Sequence, residues 1–339
     1  MQSHPRKKIV FSGIQPSGIL HIGNYLGAIR QWVSNQSEKE NYFCVVDMHA
    51  ITTPKNPESI RQLALSTAAL YLAAGIDPEM STVFVQSHVS AHAECCWILN
   101  CVTPIGWLER MTQYKSKVSE QVSVSTGLLD YPVLQAADIL LYDANEVPVG
   151  EDQKQHVELS RDIAQRFNHI YGETFTIPEP VLPSSGARIR ALNDPMRKMS
   201  KSESDVRGHA VLLTDEPDEI RRTFRRAVTD SGKEIKFSND LERAGVNNLL
   251  EIYQLFSGHS KSDIEAHFEG KGYGSLKEQV AEVVIEALRP IREQYHRLLS
   301  DPIEINQILA DGAARAAAVS GSKLAEIQYK VGFIPRSGG

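Results

Sequence analysis

The sequence predicts an α/β protein, a doubly wound parallel sheet followed by a mostly helical C-terminal domain. Three observations carry this. A strand, a glycine-rich turn and a helix follow one another near the start; short β-rich apolar runs alternate with helical patterns through the first half; and helical periodicity dominates from about Asp215 onward.

Ile9-Val10-Phe11 is a short apolar run, Ser12-Gly13 and Pro16-Ser17-Gly18 are turn signals, and Leu20 to Arg30 has helical spacing. Tyr42 to Val46 reads as a strand buried on both faces, and Thr82 to Val85 as another. Between them, Pro57 to Ala74 places Ile60, Leu63, Ala64, Leu70 and Tyr71 on the inner side of a helix, which implies right-handed crossovers. Val118 to Gly127 is rich in serine and reads as a mobile loop following Arg110, Lys115 and Lys117. Leu128 to Leu141 is an apolar helix carrying one acid, Asp138, and Val147 to Val149 a short strand. The result is a Rossmann-like first domain.

Beyond it, Glu219 to Val228, Val246 to Phe256, Leu276 to Leu299 and Ala313 to Val331 have helical periodicity, and Pro290 is expected to kink or divide the third of these. The division this gives is 1–205 for the sheet-bearing domain, with an inserted mobile segment near 105–130, and 206–339 for the helical region, whose last helix is expected to pack back on the first.

With 339 residues, 42% of them hydrophobic and 23% charged, the chain can bury a full core, which excludes the disordered and fibrous classes. The basic start Arg6-Lys7-Lys8 precedes only three apolar residues, and no run of about 18 apolar residues occurs, so no signal or membrane segment is expected and the location expected is cytoplasmic. Cys44, Cys95, Cys96 and Cys101 form no CxxC pair and read as buried reduced thiols rather than ligands of zinc or an iron–sulfur cluster. A net charge of −6 argues against a general coat for nucleic acid and leaves room for a local basic surface.

Two segments carry chemistry. In Pro16-Ser17-Gly18-Ile19-Leu20-His21-Ile22-Gly23-Asn24, His21 and Asn24 stand three residues apart at a helix start, where the N-terminus favours phosphate oxygens. Gly23 leaves room for a flat base or ribose. Alone, the same string fits a capped helix with an ordinary surface histidine; its strand–turn–helix context favours a nucleotide. In Lys198-Met199-Ser200-Lys201-Ser202, two ammonium groups with hydroxyls between them can follow a triphosphate as charge moves onto leaving pyrophosphate. Alone, this too fits a solvated basic loop.

Together the two resemble the HIGH and KMSKS signatures of class I aminoacyl-tRNA synthetases, in the same order and at the family's spacing. Tyr131 to Tyr142, Val147 to His156, Phe11 to Gly18, Asp47 to Ile51 and Arg110 to Gln113 are similar to the tryptophanyl branch, so the resemblance runs from about Val10 to the C-terminus. It implies an ATP site lined by Gln15, Pro16, Ser17, His21, Gly23, Asn24, Gly150, Glu151, Asp152, Ile189 and Lys198, Met199, Ser200, Lys201 and Ser202. It implies that Lys117, Lys198, Lys201 and Ser202 act in catalysis, and that the amino acid meets Phe11, Val46, His49, Tyr131, Gln135 and Asp138, the last accepting its indole N–H.

No metal site of the protein's own is expected; Mg²⁺ would arrive on the ATP phosphates. The implied partners are tRNA(Trp), L-tryptophan, ATP and a second copy in a homodimer, with no DNA and no membrane. The helical region would bind the anticodon, and Arg221, Arg222, Arg225 and Arg226 form a basic stripe that could meet phosphates or equally be a solvated face paired with Asp218 and Glu219.

Three positions depart from the bacterial pattern: Gln135 where methionine is common, His21 where threonine is common, and Trp107 where glutamate is expected. The rival enzyme is a nucleotidyltransferase with a similar HxGH signature, disfavoured by the complete KMSKS string and the helical tail. A non-catalytic RNA-binding paralogue is disfavoured because both signatures are intact. Tyrosine is the rival amino acid, since a phenol also carries a donor for Asp138.

Overall fold

Strand β1 (Ile9–Ile14) pairs in parallel with β2 (Glu40–Val45) on one side and β4 (Glu146–Pro148) on the other; β3 (Ser81–Val85) and β5 (Glu179–Val181) complete the order β3-β2-β1-β4-β5. The structure, a computed structural model, describes residues 7–120, 124–182, 189–200, 203 and 206–335. Alternate residues of the strands feed two cores. Phe43, Val45, Val83 and Val85 enter one, while Phe11, Tyr42, Cys44 and Phe84 enter the other. This period of two, with both faces buried, is why the strands read as continuous apolar runs.

The first core is closed by the Pro57–Ala73 helix together with the C-terminal helices Ala244–Ser257 and Tyr273–Ser300. The second is closed by the helices Ala91–Asn100, Thr126–Leu140 and Lys154–Tyr171.

Helix starts follow capping chemistry. Asn56 accepts from the Glu58 and Ser59 N–H groups ahead of Pro57, and Asp301 accepts from the Glu304 N–H ahead of Pro302. The last helix, Pro302–Lys330, therefore begins well before Ala313 and runs through Gly312. At Gly312 a Cβ would stand 1.8 Å from the Val83 carbonyl oxygen, so only glycine lets the helix lie against the edge of β3. Arg315 fastens it there, donating to the Pro78 carbonyl at 2.9 Å.

Several expectations change. Pro290 does not divide its helix, which runs unbroken from Tyr273 to Ser300; the proline is exposed and the apolar stripe Val284, Leu288, Ile291 and Tyr295 holds both halves to the core. The serine-rich loop over 118–127 is shorter than its composition suggests, since the Thr112–Glu120 helix enters it and the next helix starts at Thr126, capped by Ser125. Cys101 is exposed, at the C-cap of the Ala91–Asn100 helix, while the other three thiols are buried. Trp107 is half-buried against the second core, so its role in the fold is packing.

Candidate active site

The chain winds outward from β1 to β3, then returns to the far side of β1 for β4 and β5, so the sheet has its switch point between β1 and β4. The crevice at the C-terminal ends of those strands is where a doubly wound sheet takes its ligand. Gln15, Pro16 and Ser17 follow β1 there, in a turn closed by Ser17 N–H to the Gln15 carbonyl at 2.8 Å, and Gly150, Glu151 and Asp152 follow β4.

The two signature segments are brought together by backbone pairing. Ile22 N–H donates to the Val211 carbonyl at 2.9 Å and Leu213 N–H to the Leu20 carbonyl at 2.8 Å. His209, at the head of that strip, accepts from Ser200 N–H at 3.1 Å through Nε2, while Met199 N–H donates to the Ile189 carbonyl at 3.2 Å. Burial lowers the basicity of His209 despite the opposing influence of Glu203, which suits a neutral ring acting as acceptor. Ile189 and Met199 are buried.

His21 does not share a helix face with Asn24. It is the extended N-cap residue, buried, and the Asn24 carboxamide turns back to accept from its N–H at 3.1 Å. Gly23 makes room for that ring, because a Cβ would lie 3.0 Å from two imidazole atoms and 3.6 Å from Ile189 Cβ.

Lys198 reaches across to Asp152 at 3.2 Å, and its ammonium is 3.6 Å from where a Gly150 Cβ would be. Burial tends to raise the Asp152 carboxyl, but the Gln153 hydrogen bond and the Lys198 charge outweigh it and hold the group below its usual value. Glu151 is exposed in the same turn. Lys117 lies in the Thr112–Glu120 helix, four residues after Gln113; Lys201 and Ser202 lie outside the described residues.

At the other end, under β2 and β3, lies Asp138, buried within the Thr126–Leu140 helix. His49 Nε2 is 2.8 Å from its Oδ2, while Gln86 Nε2 and His92 Nδ1 are 2.7 and 2.6 Å from its Oδ1. Burial alone would raise this carboxyl, but the hydrogen bonds from His49 and His92 prevail and hold it well below the ordinary range. Tyr131 and Gln135 precede Asp138 by seven and three residues and share its side of the helix.

The Tyr131 hydroxyl bonds Gln113 at 3.0 Å and His156 at 2.8 Å, and burial pushes its pKa up to about 12. Phe11 stacks on Tyr142 with centroids 5.4 Å apart, and Val46 is buried nearby in the same core. Gln15 donates to the His49 carbonyl at 2.9 Å and so ties the two ends of the crevice together.

Gln86 and His92 were not singled out from the sequence. The available signal was a polar residue directly after a buried strand, at the end of the sheet where ligands bind; Gln86 also accepts from Met48 N–H at 3.1 Å.

The model for class I tRNA synthetases (W and Y) matches residues 3–289. The tryptophan–tRNA ligase of Caldanaerobacter subterraneus subsp. tengcongensis is 51% identical over 97% of this chain and 99% of its own, and that of Wolinella succinogenes 50% identical over the same shares. The chain belongs to the tryptophanyl-tRNA synthetases of class I. Among solved structures, the Campylobacter jejuni tryptophanyl-tRNA synthetase complexed with ADP and tryptophan matches this member of the family with a TM-score of 0.84 at 38% identity, covering 96% of this chain and all of that one.

Proposed function

We propose that this synthetase activates L-tryptophan with ATP as tryptophanyl-adenylate, releasing pyrophosphate, and then transfers the acyl group to tRNA(Trp), releasing AMP. The observation that carries this reading is the pairing of a buried, ionised Asp138 at one end of the crevice with the two joined signature segments at the other. The indole N–H donates to Asp138; tyrosine would have to bring its hydroxyl to the same oxygen from a smaller ring.

The tryptophan carboxylate is ionised at neutral pH, so its attack on the α-phosphorus needs no general base. The residues supply position and charge: Gln15, Pro16, Ser17, His21, Gly23, Asn24, Gly150, Glu151, Asp152, Ile189, Met199 and Ser200 shape the nucleotide end, and Lys198 gives up Asp152 for phosphate oxygens. Lys117, Lys201 and Ser202 join it as pyrophosphate leaves, and Mg²⁺ enters as part of the ATP substrate. Exchange of pyrophosphate into ATP, measured with each of the twenty amino acids, should respond to tryptophan alone; exchange driven by tyrosine would overturn the specificity.

Beyond residue 205 the chain first pairs with Leu20 and Ile22 and then closes one core of the sheet, and its helical part is the region that binds the anticodon. In the expected basic stripe, Arg221 is committed to Glu282 at 2.6 Å and to Asp218 at 3.1 Å, and Arg222 pairs with Glu219. Arg225 and Arg226, exposed in the last turn of the Pro217–Arg226 helix, are left to meet RNA phosphates. The working unit is a cytoplasmic homodimer; sedimentation as a monomer would remove that part of the proposal.

A further inference from the structure

Nothing in the activation chemistry uses His92 or Tyr142, yet both are buried, His92 bonds Asp138, and Tyr142 bonds His92. We propose that His92, held by Tyr142, is a positioning residue for substrate choice: it fixes Asp138 so that a single acceptor direction remains for the N–H of the incoming indole. The inference rests on Asp138 being the indole acceptor.

The hydrogen bonds define the protons. An ionised carboxylate only accepts, so the nitrogens facing Asp138 must carry hydrogen: Nε2–H of His49, the Gln86 amide and Nδ1–H of His92. On its other side, His92 Nε2 lies 2.9 Å from the Tyr142 hydroxyl, and this second hydrogen bond holds the ring. Burial drives the Tyr142 pKa far upward and so keeps that hydroxyl protonated.

Of the roughly four lone-pair directions of a carboxylate, two on Oδ1 are filled by Gln86 and His92 and one on Oδ2 by His49. The remaining direction belongs to Oδ2. Rotation of the carboxylate would require His92 to move as well, and Tyr142 prevents this: it stacks on Phe11, packs on Tyr42 at 4.5 Å and lies beside the buried Ser320 of the last helix.

The test compares tryptophan with an analogue whose indole N–H is replaced by sulfur, 3-(3-benzothienyl)alanine, in pyrophosphate exchange. His92→Leu should lower the tryptophan-to-analogue ratio of kcat/KM about tenfold, through the KM for tryptophan, with the KM for ATP and the analogue's kcat/KM unchanged. His92→Asn, which keeps a donor near the Nδ1 position, should recover most of the ratio, and Tyr142→Phe should lower it about threefold.

Equal losses for both substrates in His92→Leu would make the residue a packing element and overturn the inference. If His92→Leu does not fold, Tyr142→Phe decides, and an unchanged ratio overturns it. Asp138→Ala separates the two levels. If it retains the ratio, Asp138 is not the acceptor; if it loses the ratio while the His92 and Tyr142 variants keep theirs, only the positioning role fails.

Discussion

Asp138 is 1% exposed and held by three donors at 2.6 to 2.8 Å, whereas Asp152, at the other end of the same crevice, has a side chain 57% exposed and one ammonium partner at 3.2 Å. The difference is what the proposed function asks of each end. Discrimination between flat aromatic amino acids needs an acceptor whose direction is fixed and from which water is excluded. Phosphoryl transfer needs cations that move with the charge, and an exposed ion pair costs little to exchange. One end should therefore couple tightly to folding and the other to rate.

The largest effect that tests this division is at the phosphate end. Lys198→Ala is expected to slow tryptophan-dependent pyrophosphate exchange by about 10² to 10³. Its melting temperature should match that of the parent chain, because the pair it loses is solvent-exposed. A large loss of thermal stability would break the comparison.

At the amino-acid end the signature reverses. Gln86→Ala removes one of the two donors to the buried Asp138 Oδ1 and the acceptor of the half-buried Met48 N–H, so denaturant unfolding should show a loss of about 2–4 kcal/mol. A loss below about 0.5 kcal/mol would mean that the cluster is not the rigid body described.

Asp215 sharpens the point with the smallest effect. It is half-buried with one N–H donor, from Leu212 at 2.8 Å, and burial raises its pKa to about 6 in spite of that bond. Its folded value lies above the unfolded one, about 3.9, so the folded state binds the proton more tightly and stability falls as pH rises between about 4 and 6. Asp215→Asn should therefore gain about 1–2 kcal/mol at pH 7.5 and nothing at pH 4. Asp138 has the opposite sign: its pKa is lowered, so its contribution is present above about 4 and is lost on acidification. Two shielded carboxylates thus diverge by the number of donors each receives.

What could be read from the residues follows the same division. Of the five described strands, β1, β2 and β3 are legible because their apolar runs alternate between two buried faces and β4 through Val147 and Val149, while β5, three residues with Pro180 at its centre, has no such pattern. The Lys154–Tyr171 helix was obscured by its polar side. The signature segments were legible as strings of unusual residue types, as was Asp138, a lone acid in an apolar helix. Gln86, His92 and Tyr142 were not, because each is an ordinary residue locally and only the crossover from β3 to the Thr126–Leu140 helix sets them against the carboxylate. His21 misled for a related reason: the extended N-cap backbone takes its ring off the helical face that spacing assigns.

The seat of the last helix on β3 also sets a timetable for synthesis. Gly312 leaves the ribosome roughly 230 residues after the strand edge it covers, an interval on the order of ten seconds to most of a minute at usual elongation rates. During that time the Val83 carbonyl faces solvent and the buried Ser320 beside Tyr142 does not yet exist. The nascent catalytic sheet must therefore wait, with one edge open, for the far end of its own chain to close it.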